Sequence, residues 1–262
     1  MGDFIPGQGG GWTLVPSARH AMLLDASRNA LAIGDHAAAV VLAEELLDEQ
    51  PDDLDALLIV AAAAPSYGHG EVGAIAASQA ARLGADVGAL EAAALLAACQ
   101  VERALSAANT ALERQPADAR AHFVRGIALD LLGEADQAKA AFVAAGAIDP
   151  AGYPPPLELP AEDWESLTFA ATAALEPALR DALAGVTLDL VDLPALEVLR
   201  GLSPPPSPMV DALLLDPDAR QPRIEIYRRN VLRGATSADD VEERIRRALH
   251  DEAELLLEDE DG

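Results

Sequence analysis

A chain of 262 residues that is 51% hydrophobic has ample material for one large core or two small ones. Its formal charge of −26, from 44 acids against 18 Lys and Arg, argues against a nucleic-acid or anionic-membrane surface, since both need clustered bases. Cys99 is the single cysteine, which excludes an intrachain disulfide and a thiolate zinc cluster. Alanines and leucines surround it at helical spacing, so it reads as a small buried hydrophobe. No stretch reaches the apolar length of a membrane span, and the start lacks a basic segment followed by an apolar core. A cytoplasmic protein is the expectation.

Residues 1–17, glycine-rich from Gly7 to Gly11, read as a flexible lead-in that Trp12, Leu14 and Val15 could pin down. From Ala18 to Pro150 helix formers dominate and the chain repeats. Anchor positions Pro51, Ala85, Pro116 and Pro150 are separated by 34, 31 and 34 residues. The last unit is the most regular, with a helix over 121–129, a turn at Leu132-Gly133-Glu134, and Ala138, Phe142 and Ala145 before Pro150. The first unit turns at Gly34 and continues with Ala39, Ala43 and Pro51. The second turns at Gly68, with Gly73, Ala77 and Ala80 as its small residues. The third has no turn glycine, yet Ala104, Ala108, Ala111 and Pro116 keep phase.

On these residues the stretch 18–150 resembles tetratricopeptide repeats, whose period is about 34 residues. The resemblance implies an α-solenoid of helix pairs in which small residues let neighbouring helices approach closely. It also implies a protein or peptide partner held by the repeats. The first helices of the units are mostly alanine and leucine, with no cluster of Lys, Arg or Asn to mark a binding surface. Packing against the chain's own C-terminal region is the other use for such an array.

Residues 151–160, Ala-Gly-Tyr-Pro-Pro-Pro-Leu-Glu-Leu-Pro, form a linker, because each proline removes a donor and restricts its predecessor. A second domain is expected over 161–262. It opens with a helix from Ala161 to about Ala184, kinked or split at Pro177, and continues with a strand over Val186–Val191. A short helix near Ala195–Leu202 and a stiff Ser203–Pro208 loop follow, and Leu213-Leu214-Leu215 is open between helix and strand. Ile224 to Tyr227 alternates as a strand, and a polar turn leads to a helix that opens at Thr236-Ser237. Ser237 and Asp240 have capping-box spacing. Val241, Ile245, Ala248, Leu249, Ala253 and Leu256 mark the buried stripe of that helix, and Glu242–Arg246 and Glu243–Arg247 are its i,i+4 pairs.

The run Ile224-Glu225-Ile226-Tyr227-Arg228-Arg229-Asn230, followed by a helix containing His250, resembles the small bacterial zincin-like metallopeptidases. Asp163 to Leu183 and Val186 to Pro194 are similar to that family's opening helix and first strand. The fold class is therefore expected to be mainly α, an α-solenoid followed by a small α+β zincin-like domain. The resemblance implies an H-E-x-x-H zinc helix, in which two imidazoles one turn apart grip the ion and the Glu polarises water. Aligned on His250, this chain reads His250-Asp251-Glu252-Ala253-Glu254. The second histidine position holds Glu254, and the later acid position holds Glu260.

A pseudoenzyme with an interaction role, and no bound metal, is the favoured expectation. The alternative is a divergent peptidase using zinc or another divalent metal, with His250, Glu254 and Glu260 as ligands and Asp251 as general base. No G-x-S-x-G, P-loop or dinucleotide glycine pattern supports a third activity.

Overall fold

The computed structural model describes residues 3–6, 12–15, 18–217, 219–233 and 235–260. The protein is mainly α-helical, with successive helix pairs and a small three-stranded mixed sheet near the C-terminal end. Two compact units divide at Leu129/Asp130, inside a helix. The proline-rich stretch 151–160, expected from the sequence to be the linker, lies within the second unit.

In the first unit, the stretch expected to be a lead-in carries two short paired strands. They are β1 (Asp3–Pro6) and β2 (Trp12–Val15), antiparallel with Asp3 opposite Val15. Helices α1 (Ala18–Ala32) and α2 (His36–Glu49) form the first pair. The second pair is α3 (Leu54–Ala63) and α4 (Gly70–Arg82), and the third is α5 (Gly88–Ala97) and α6 (Val101–Arg114). Helix α7 (Ala119–Leu131) spans the division between the units.

Local chemistry starts and stops these helices. Asp35, Asp53 and Asp118 each accept a hydrogen bond from the backbone N–H three residues on, at 3.0, 2.9 and 2.9 Å, and so cap α2, α3 and α7. Gly34, Gly68 and Gly133 close turns with positive φ. Cys99 fills the same place in the third unit with φ 58°, so a left-handed turn is made there without glycine.

The predicted small positions are the packing surface. Ala39, Ala43, Ala77, Ala80, Ala104, Ala108, Ala138 and Ala145 are all buried. Leu46, Leu57, Val60 and Leu96 fill the gaps between the close helices.

The second unit adds α8 (Ala135–Ile148), α9 (Ala161–Ala173) and α10 (Pro177–Ala182). The long opening helix is thus split before Pro177, whose ring suits a first helical position and not an interior one. Strand β3 (Thr187–Val191), helix α11 (Leu196–Gly201) and strand β4 (Ala212–Leu215) follow, and Leu213–Leu215 is therefore strand. Strand β5 (Arg223–Tyr227) is central, parallel to β3 and antiparallel to β4.

In place of the polar turn expected after β5, six residues form α12 (Arg228–Arg233). Last comes α13 (Ala238–Glu260). Its Val241, Ile245, Leu249 and Ala253 pack with Trp164 and Ala171 of α9 and with Ile224 and Ile226 of β5. Ser237 accepts from the Asp240 N–H at 3.1 Å, but the Asp240 carboxylate reaches back to the Thr236 N–H at 2.9 Å. The cap is therefore wound one residue earlier than a standard box. On the wet face, Glu243 takes both Arg246 and Arg247, and Glu242 forms no ion pair among the described residues.

Candidate functional site

The expected metal residues lie on the half-exposed flank of α13. His250 Nδ1 is 3.5 Å from the Asp251 carboxylate, and its Nε2 is 3.8 Å from Glu254. The two carboxylates are more than half exposed. The side chain of Glu260 lies outside the described residues. A zinc site needs four donors at about 2.0–2.3 Å around one point. Among the described residues no group of three or more His, Cys, Asp or Glu side chains could hold a metal ion. Asp251 instead lines a cavity of about 340 Å³ with Arg244, Arg247 and Glu252, beside the start of β4.

A different constellation dominates the second unit. Asp130, near the end of α7, is buried, and two arginines one turn apart on α12 converge on it. Arg229 donates to Oδ1, and Arg233 donates to Oδ2 at 2.6 Å. Arg233 also donates to the Asn230 side-chain oxygen, and its guanidinium lies 5.8 Å from the centre of the Phe142 ring. Asn230 is fixed in turn, donating to the carbonyls of Pro208 and Val210 at 2.9 and 2.6 Å. Helix α12, the turn before β4 and the end of α7 are therefore held by one polar network.

That network forms one wall of a cleft of about 590 Å³ between α8, α12 and the extended segment Pro155–Glu158. Phe142, Leu157 and Leu232 give it an apolar lining, and Lys139 and Arg229 stand exposed at its edge. The volume lies within the range of small-ligand and side-chain pockets. Among the described residues Lys139 makes no ion pair. Leu157 and Glu158 lie in neither helix nor strand, and no backbone hydrogen bond among the described residues ties them to another element.

Burial sets the electrostatics. It pulls the Arg233 guanidinium below its ordinary value, and the Asp130 carboxylate opposes that shift. Burial raises Asp211, against the 2.7 Å bond from Arg244. It also raises Glu252, against the 2.8 Å bond that Glu252 accepts from the Leu214 N–H. The Tyr227 phenol is raised by burial and by Glu225, to which it donates at 3.2 Å.

Sequence reasoning misses this cleft. Its one local signal is an acid, Asp130, inside the apolar run Ile127-Ala128-Leu129-Asp130-Leu131-Leu132. The arginines that answer it are about a hundred residues away, in a stretch whose composition suggests a turn.

Several solved structures are similar to about half of this chain. A thermophilic TPR protein of Thermus thermophilus is 26% identical, over 50% of this chain and 74% of that one, with a TM-score of 0.45. A MamA structure from Desulfovibrio magneticus RS-1 is 21% identical, over 52% of this chain and 78% of that one, with a TM-score of 0.44. No family model matches the chain, and no curated protein does. Nothing in these comparisons supports a zincin-like reading of residues 161–262.

Proposed function

We propose that this protein is an interaction module that holds a segment of a partner protein in the cleft between α8, α12 and Pro155–Glu158. The observation that carries this reading is an apolar hollow of about 590 Å³, one wall of which is held by the ion pairs of Asp130 with Arg229 and Arg233. A pocket already shaped before binding lowers the ordering cost of binding. Helix pairs of tetratricopeptide type suit the same role, since stacked helices offer long surfaces at little cost in core. For the peptidase alternative, with His250, Glu254 and Glu260 on a metal and Asp251 as base, the described residues offer no group of three metal-holding side chains.

The test is selection from a phage-displayed random heptapeptide library on the full chain. Enriched peptides should lose binding to Val143→Asp, which places a charge on an exposed residue of the cleft. They should keep binding to Val41→Asp, on exposed α2. Peptides indifferent to Val143→Asp would place recognition elsewhere and remove the cleft from the function.

A further inference from the structure

Three of the chain's 18 basic side chains, including its one lysine, line this single cleft, against two carboxylates. Over the rest of the chain acids prevail, and the whole carries −26. Asp130 is already engaged by two guanidinium groups, and it is buried behind them. The cations that meet a visitor at the edge are therefore Lys139 and the outer part of Arg229. Glu158 is exposed on the opposite wall. Exposed cations at the mouth attract a carboxylate locally, against the longer-range repulsion of the acidic surface.

From this we infer that the cleft takes an extended peptide in which an apolar side chain is flanked by Asp or Glu. The inference rests on the interaction reading above and names the class of its partner. The apolar side chain would sit among Phe142, Leu157 and Leu232, and the carboxylate would meet Lys139 and Arg229. A peptide is favoured over a fatty acid because Leu157 and Glu158, which line the cleft, make no backbone–backbone hydrogen bond among the described residues. An extended peptide pairs with such main-chain groups, and a hydrocarbon tail leaves them unsatisfied.

The same heptapeptide library tests it. Among peptides lost on Val143→Asp, Asp and Glu should be enriched next to Phe, Leu or Val. For the most enriched peptide, replacing its acids by Asn and Gln should weaken binding at least tenfold at 50 mM NaCl. Lys139→Gln in the protein, a substitution at an exposed side chain without an ion pair among the described residues, should shrink that tenfold margin to threefold or less. Cleft-dependent peptides that are neutral or basic would overturn the inference and leave the interaction reading standing. No cleft-dependent peptide at all, or dodecanoate alone binding there, would overturn both.

Discussion

Asp130 shows how much one side chain carries in this molecule. Arg233 is 9% exposed and has no other acid bonded to it among the described residues, whereas Arg229 is 44% exposed. Breaking a buried pair from one side leaves the other charge stranded, at a cost of about 3–5 kcal/mol. A solvated partner is worth about 1 kcal/mol or less. In urea unfolding, Asp130→Ala should therefore lose roughly 3 kcal/mol and Arg229→Ala under about 1 kcal/mol. Equal losses would mean that the network does not discriminate as its burial implies.

Glu252 makes a pH-dependent counterpart. Burial raises its folded value, so the folded state holds its proton more tightly than the unfolded chain does. Its stabilising contribution is full below the unfolded carboxylate range and disappears as pH rises through the raised value. Glu252→Gln keeps an oxygen for the Leu214 N–H and removes that loss. Relative to the parent, the variant should gain stability as pH rises above the ordinary value of 4.5, and a parallel pair of pH curves would contradict it.

Among the elements, the helix pairs are the most legible from sequence, because small residues recur at fixed steps and the alanines at those steps are buried. The third unit shows why a turn can be missed. Glycine marks the turns of the other units, while the backbone at Cys99 accepts a left-handed conformation with a side chain in place. Helix α12 escapes for a different reason. It is only six residues long, and its arginines and Asn230 are explained by partners remote in sequence.

Close helix packing can be tested at Gly70, the first residue of α4. A methyl group there would stand 2.4 Å from the backbone of Ala97 and Ala98, at the end of α5. Backbone cannot step aside as a side chain can, so Gly70→Ala should cost about 1–3 kcal/mol. Gly201→Ala, with nothing within 4 Å, is the control and should change stability little. Differential scanning calorimetry of the two variants would separate crowding from helix propensity.

For the molecule as a whole, the excess of acids is a standing self-repulsion. Screening shortens its reach from about 30 Å at 0.01 M salt to about 8 Å at 0.15 M. The melting temperature should therefore rise with NaCl over that range, more than it does for a chain near neutrality. A flat or falling curve would show that the attractive pairs outweigh the repulsion. No described helix is long and apolar enough to cross a membrane. The same charge makes the single lysine chemically conspicuous. Side-chain amines react with succinimidyl esters, and this chain offers one, at the mouth of the cleft. A dye or crosslinker aimed at amines would thus have one side-chain target, beside the cleft and without any engineered handle, and with the terminal α-amine blocked it would report directly on what enters the cleft.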